Sequence, residues 1–356
     1  MTKDELRYTI ALNQLYRNRL YKEHLLLDRY HSVMDAWNSL DEIGKNEALQ
    51  FADTEMAFIE KHRIDTYFYQ DDNYPRRLQS CPDCPILLYG KGNIRLNEDK
   101  MVSIVGTRSA SENGKEWTRR FVLYLAQAVP NLTIISGLAF GIDVAAHRAA
   151  LEAHIPTVVV LGHGLDRIYP ALHRPVAIET LSQGGLITEY PSGTEPNKIN
   201  FVARDRIIAG LADAVIVVES KERGGSLITA KMASDYSRPV FAVPGRATDI
   251  GSAGCNELIR KQKAQLITSA QDLIQAMNWE SSIPVVQTQI ETFMADLDDT
   301  SRAILHAIRS AEEGIHINAL VMDLQLSYSQ VSTALTMLEL QDFIKSLPGG
   351  IYRAVR

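Results

Sequence analysis

The sequence predicts an α/β protein built on a doubly wound, mostly parallel sheet, with a helical segment before it and a small helix-and-hairpin segment after it. Two observations carry this. Short, nearly continuous apolar runs alternate with helical segments across residues 100–280, the pattern of strands buried on both faces and joined by helical crossovers. Glycine-containing loops follow several of these runs, at the strand ends where ligands sit in such sheets.

Residues 1–75 read as a helical domain. Ile10, Leu12 and Leu15, then Leu25, Leu26, Leu27, Val33 and Trp37, recur at helical spacing, and the first glycine is Gly44. Residues 65–69 read as a short strand and Tyr74-Pro75 as a turn. The sheet domain is placed at residues 76–280. Its strands are expected at Met101–Val105, Leu132–Ser136, Thr157–Leu161, Gly185–Glu189, Ala214–Val218, Pro239–Val243 and Gln265–Ile267. Its helices are expected at Asn113–Ala128, Ile142–His154, Pro175–Leu181, Val202–Gly210, Leu227–Ser237 and Gly254–Lys263. Residues 281–298 lack a clear period and hold a proline, which suits a linker. Residues 299–356 give helices Ser301–Ser310, Asn318–Leu324 and Tyr328–Leu340. Strand Phe343–Leu347, the turn Pro348-Gly349-Gly350 and strand Ile351–Arg353 follow, making a winged-helix pattern.

The length of 356 residues suits two or three domains. The apolar runs are too short to span a bilayer. The chain opens on charged, helical residues rather than a basic-plus-apolar leader. Three cysteines cannot form a disulfide framework. These features predict a cytoplasmic protein with no membrane partner. The net charge is −6, but residues 100–280 hold 19 Lys+Arg against 17 Asp+Glu, while both ends are acidic. A local cationic site on an acidic protein still binds anions, because cellular salt screens fields within about 8–10 Å.

Candidate anion-binding parts lie in the middle region. Gly106-Thr107-Arg108 follows a strand; glycine lets backbone amides approach a ligand and Arg108 offers a planar fork for phosphate. An ordinary turn with a surface arginine fits the same residues. Lys198 precedes a helix whose Phe201 and Arg204 share a face. With Arg206, these residues would hold a nucleic-acid backbone while the ring stacks a base. The alternatives are a core aromatic, and arginines that are solvated charge or ion-paired with Asp205 or Glu219. Gly224-Gly225-Ser226 opens a helix whose start attracts anions; Ser226 is a plausible N-cap, and Thr229 lies one turn in.

Three further features carry weaker chemistry. Asp143 and His147 stand one turn apart, as a dyad or as a helix-surface hydrogen bond. His163, between Gly162 and Gly164, is expected to be exposed in the cleft. Cys81 and Cys84 have metal-like spacing, but no second Cys/His pair lies near and structural zinc needs four ligands. No Walker loop, metalloprotease helix, nucleophile elbow or carboxylate cluster occurs. No catalytic set, metal or cofactor is expected.

In order along residues 100–280, the chain carries Val105-Gly106-Thr107-Arg108, Ser136-Gly137-Leu138-Ala139 with Gly141-Ile142-Asp143 and Ala146-His147, Gly164-Leu165-Asp166 with Tyr169-Pro170, and Glu189-Tyr190-Pro191. Phe201 with Arg204 and Arg206-Ile207-Ile208-Ala209-Gly210-Leu211, then Ser226-Leu227-Ile228-Thr229-Ala230, Ala242-Val243-Pro244-Gly245 and Gly254-Cys255-Asn256 with Leu258-Ile259, complete the series. This series resembles the DprA/Smf family of bacterial DNA-processing proteins. The resemblance implies an extended Rossmann-like core that binds single-stranded DNA without sequence preference. It also implies a homodimer that loads the RecA recombinase during natural transformation, and no established catalytic activity. It assigns Arg108, Lys198 and Phe201 to the DNA pocket. With them, Gly106, Arg204, Arg206, Gly225, Ser226 and Thr229 form the expected nucleic-acid site.

This chain departs from the family pattern at Asp205, where asparagine is usual, and at Lys263, where glycine is usual. Residues 1–43 lack the glycines of a phosphate-binding helical hairpin. The expected recognition helix, Tyr328–Leu340, holds no lysine or arginine, so the last domain is read as a protein-contact or regulatory module. The rival reading is a nucleotide-processing enzyme like the lysine-decarboxylase-like phosphoribohydrolases. Those pair a Pro-Gly-Gly-x-Gly-Thr loop with a nearby glutamate, whereas Gly224-Gly225-Ser226 here has no such glutamate in its helix. A structural adaptor acting through the acidic ends is a third reading.

Overall fold

In the computed structural model, the chain is described for all residues except 17–19, 31, 42, 282–296, 312–313, 341–342, 348 and 355–356. Its residues fall into two units, Met1–Ser282 and Ile283–Arg356.

The apolar runs of the first unit become the strands of one sheet. They are β1 (Asp65–Phe68), β2 (Leu87–Gly92), β3 (Lys100–Val105), β4 (Leu132–Ser136), β5 (Thr157–Val160), β6 (Gly185–Thr188), β7 (Ala214–Val217), β8 (Val240–Ala242) and β9 (Gln265–Leu266). The sheet order is β1-β2-β6-β5-β4-β3-β7-β8-β9. From β6 to β9 every pairing is parallel. All residues of β4 to β8 are buried, which explains why their sequences show no polar alternation. The antiparallel strands β1 and β2 extend the β6 edge. The sheet thus takes its first strand from residues 65–68, upstream of the expected boundary at 76, and β2 is a strand the sequence reading did not identify.

The chain enters the parallel sheet at β3, winds outward to β6, then returns through the helix Lys198–Leu211 to place β7 on the other side of β3. Strand order therefore reverses between β3 and β7. The loops leaving these two strands diverge there and open a crevice, the usual place for a ligand in this architecture.

The helices expected in residues 1–75 form at Lys3–Leu15, Leu20–Arg29, Val33–Asn38 and Lys45–His62. Ile10, Leu12, Trp37 and Ala52 from them join the same buried core as Tyr74, Leu87 and Ile207, so these helices pack as part of the first unit.

In the second unit, helices Asp299–Ser310, Ile317–Leu324 and Tyr328–Leu340 pack with a three-stranded sheet. Its strands are β10 (Ile315–His316), β11 (Ile344–Leu347) and β12 (Ile351–Ala354), in the order β10-β12-β11. Ile304, Leu305, Leu320, Leu335 and Ile344 form its core. This is the expected winged-helix pattern, with β10 added. The expected linker lies outside the described residues except for 281, 297 and 298.

Candidate nucleic-acid interface

A cleft of about 1050 Å³ occupies the reversal point. Gly106 and Arg108 line it from the loop after β3, Asp143 from the helix after β4, and Gly225, Ser226 and Thr229 from the loop and helix after β7. Lys198, Phe201, Arg204 and Asp205 line it from the return helix. Arg167, Lys221 and Arg223 also line it, and the sequence reading did not single them out. Six cationic side chains therefore face three carboxylates, Asp143, Glu195 and Asp205, so the cleft is net positive inside an acidic protein.

The Arg108 loop is braced from β7. The Thr107 N–H donates to the Glu219 carbonyl at 2.7 Å, and the Glu219 carboxylate accepts from the Ser111 N–H at 2.9 Å and from the Ser111 hydroxyl. Gly141 closes the loop from the other side. Its φ is +79°, and a Cβ there would lie 2.1 Å from the Thr107 carbonyl oxygen, so only glycine fits. Arg108 itself is exposed. The backbone bracket fixes the loop and leaves the planar guanidinium open to solvent at the cleft.

Lys198 is exposed and is the first residue of the return helix rather than preceding it; Asn197 caps the helix by accepting from the Asn200 N–H at 2.8 Å. Phe201 sits on the next turn. Its ring stacks with exposed Tyr169 at 5.6 Å between centroids and 24° between planes. The Arg108 and Arg204 guanidinium carbons lie 5.9 and 6.0 Å from its centroid. A Cβ on Gly162 would come within 2.8 Å of Phe201 Cδ1, so the absence of a side chain there leaves room for the ring at the end of β5. Tyr169 also lines the cleft; the sequence reading noted the Tyr169-Pro170 pair but not its partner ring.

Two expected phosphate ligands are corrected. Arg204 is buried, and its Nη1 donates to the carbonyl oxygens of Gly137, at 2.8 Å, and Val160. Its Nε lies 3.4 Å from Asp205 Oδ1. It ties the ends of β4 and β5 to the return helix, beneath the cleft surface. Arg206 is on another face of the helix altogether. Its Nη1 and Nη2 meet the two Glu189 carboxylate oxygens at 2.6 and 2.5 Å, and its Nε donates to the Asp83 carbonyl at 3.0 Å. Burial alone would lower the Arg206 pKa, but Glu189 outweighs it and raises it. Arg206 has all three guanidinium nitrogens engaged, whereas Arg204 lines the cleft with an Nε that has no hydrogen-bond partner among the described residues.

The glycine loop is placed as expected but capped differently. Gly225 is the N-cap residue, exposed with open space around it. Ser226 is the first helical residue; its hydroxyl is buried and donates to Ser220 Oγ at 3.0 Å. Thr229 is buried one turn in. In the first turn of helix Ser226–Asp235 the Leu227 and Ile228 N–H groups already donate to the Gly224 and Gly225 carbonyls at 3.2 and 2.9 Å, so what the helix start brings to the cleft lining is mainly the positive end of its dipole.

The histidine expectations are also corrected. His147 is buried rather than on a helix surface, its Nδ1 2.7 Å from Thr157 Oγ1, and burial pushes its pKa down to about 3. It stays neutral at physiological pH, out of reach of solvent. His163 is buried rather than exposed: Nε2 accepts from the Tyr169 N–H at 3.3 Å, and burial lowers its pKa. Cys81 and Cys84 are buried free thiols, and burial raises the pKa of both. Among the described residues no group of three or more His, Cys, Asp or Glu is placed to hold a metal ion, and no helix is long and apolar enough to cross a membrane.

Asp205 gives the cleft a pH dependence. Burial raises its pKa to about 6, against the pull of Arg204 and with the push of Asp143. Burial raises the Asp143 pKa as well. The folded state therefore binds protons more tightly than the unfolded chain between pH 4 and 6, so this contribution to stability falls as pH rises through that window. Protonation also removes negative charge from the cleft. Anion affinity is expected to rise several-fold from pH 7.5 to pH 5 in wild type, and distinctly less in Asp205→Asn. Equal pH profiles in binding titrations of the two proteins would contradict this.

The comparisons agree with this architecture. A family model described as DNA recombination-mediator protein A matches residues 65–278, and one described as the DprA winged helix domain matches residues 294–350. The chain is 33% identical over 335 residues to Protein Smf of Synechocystis, covering 83% of this chain and 82% of that protein. It superposes on the X-ray structure of DNA processing protein A from Streptococcus pneumoniae with a TM-score of 0.63 at 33% identity, covering 76% of this chain and 95% of that one. The DNA processing protein A of Helicobacter pylori, whose structure concerns its single-stranded DNA binding mode, gives a TM-score of 0.55 at 31% identity over 61% of this chain and 96% of that one. With both units matched and a relative of this identity covered over most of its length, the chain belongs to the DprA/Smf family.

Proposed function

We propose that the cleft binds single-stranded DNA without sequence preference, and that the protein protects incoming strands and loads RecA onto them during natural transformation. The observation that carries the binding reading is the Phe201–Tyr169 step inside a net-cationic cleft. Stacked rings accept any base by its π-face, and Arg108, Lys198 and the Gly225–Ser226 helix start hold the backbone around it. Duplex DNA hides its base faces and gains nothing from the rings. The Helicobacter pylori relative's single-stranded DNA binding mode supports the same ligand here. The family is one of DNA-binding and DNA-processing proteins rather than of known enzymes, and buried, neutral His147 supplies no general base.

RecA loading, a homodimeric state and a cytoplasmic location rest on family membership. Acceleration of RecA filament assembly on strands coated with single-strand-binding protein tests the loading role; no acceleration would remove it. For the binding role, fluorescence anisotropy with labelled oligothymidine should show saturable binding that duplex of equal length competes for poorly. The Arg108→Ala/Lys198→Ala variant should bind about tenfold more weakly at 0.15 M salt, from the loss of two phosphate contacts, and equally so for thymine-rich and mixed sequences.

A further inference from the structure

The segment between β6 and the return helix delivers residues to the cleft. Glu195, Pro196 and Asn197 line it, and Asn197 caps the helix that begins at Lys198. How this segment is held therefore sets where Lys198 stands. Residues 190–197 contain no helix or strand, so individual bonds fix their course rather than a ladder.

Several of those bonds come from the loop after β5. The Gly193 N–H donates to Asp166 Oδ1 at 3.0 Å, the Thr194 carbonyl accepts from the Gly164 N–H at 3.1 Å, and Glu195 pairs with Arg167 at 3.3 Å. A further bracket comes from the N-terminal helices. Glu55, in the helix Lys45–His62, is 2% exposed. Both of its carboxylate oxygens accept from Ser192, Oε1 from the N–H at 2.9 Å and Oε2 from the hydroxyl.

A carboxylate is seldom buried unless its oxygens are bonded. Elsewhere on its buried face the same helix carries Ala48, Ala52 and Ile59, so packing alone would be met by an apolar side chain here. Glu55 instead commits both oxygens to one residue of the cleft segment, 137 positions away in sequence. Two bonds to the same residue fix its orientation as well as its distance.

We infer that Glu55 is a positioning residue for single-strand binding: through Ser192, the N-terminal helices fix the segment 190–197 and with it the place of Lys198 at the cleft. The inference rests on the cleft reading above. Phe201 lies a turn further along the helix and has supports of its own in Tyr169 and Gly162.

The test is a pair of double-variant cycles on the full chain, read by anisotropy of labelled oligothymidine. Glu55→Ala should bind about threefold or more weakly at 0.15 M salt, with a salt slope shallower by up to about 0.7, the share of one phosphate contact. Glu55→Gln should bind like wild type, because its amide can accept from the Ser192 N–H and donate to the hydroxyl. Added to Lys198→Ala, Glu55→Ala should change affinity by less than about twofold, since the contact it positions is already gone; added to Phe201→Ala, it should keep its full effect. A Glu55 that merely stabilises the fold would lower the melting temperature and leave affinity and slope unchanged in the folded protein. If Glu55→Ala does not fold, Ser192→Ala, which removes one of the two bonds, replaces it. With Lys198→Ala weakened as expected, wild-type affinity in folded Glu55→Ala, or an effect undiminished in the Lys198→Ala background, overturns the inference and leaves the cleft reading standing. A Lys198→Ala protein that binds like wild type overturns the cleft reading and the inference with it.

Discussion

Replacing Glu189 with alanine will cost the first unit about 3–5 kcal/mol of stability, the range for removing one partner of a buried ion pair. The Arg206 guanidinium is buried, and Glu189 meets both of its terminal nitrogens in a fork. Without the carboxylate, a positive charge stays inside a low-dielectric site with only the Asp83 and Ala203 carbonyls and a more distant Asp83 carboxylate at 3.9 Å to balance it. Chemical denaturation should show the midpoint falling with the slope unchanged. A Glu189→Leu/Arg206→Met protein should recover most of the loss, because a packed apolar pair of similar volume replaces both charges. The double variant should bind oligothymidine like wild type. A large loss of DNA affinity in this folded variant would instead make Arg206 a phosphate ligand.

Phe201→Ala is expected to weaken oligothymidine binding by about 1–3 kcal/mol, the usual worth of one base stacked on an aromatic side chain. The ring is half-buried between Tyr169, the Arg108 and Arg204 guanidinium groups and the close backbone of Gly162. Its position is fixed before any strand arrives, so little ordering cost is charged against the stacking. Phe201→Trp should retain affinity and Phe201→Leu should not, which separates stacking from simple packing. Tyr169→Ala should follow the same direction. A Phe201→Ala protein with wild-type affinity and wild-type melting behaviour would remove the ring from the binding step.

The parallel sheet was legible because burial on both faces leaves a continuous apolar run, and because each crossover needs a helix. Strand β2 was not identified, although Ile86-Leu87-Leu88-Tyr89 between Pro85 and Gly90 carried the same signature. For the return helix, periodicity held part of the answer. Phe201 and Arg204, three apart, share a face. Arg206, five from Phe201, lies about 140° round the helix at about 100° per residue. That spacing alone sets Arg206 away from the ring. Its partner Glu189 comes from the end of β6, and only the fold brings the two together. Arg204 shares the ring's face, yet its Nη1 is held by the carbonyls of Gly137 and Val160, acceptors that no local pattern reveals. Arg167 and Tyr169 reach the cleft by the path of a loop, which carries no period to read.

The salt dependence of oligothymidine affinity tests the cleft most directly. Each phosphate contact to a single strand contributes about 0.7 to the slope of log K against log salt concentration. Titrations of wild type and Arg108→Ala/Lys198→Ala at several salt concentrations should give a slope shallower by about 1.4 in the variant, with weaker binding at every salt. Identical slopes and affinities in two equally folded proteins would place the DNA somewhere other than this cleft.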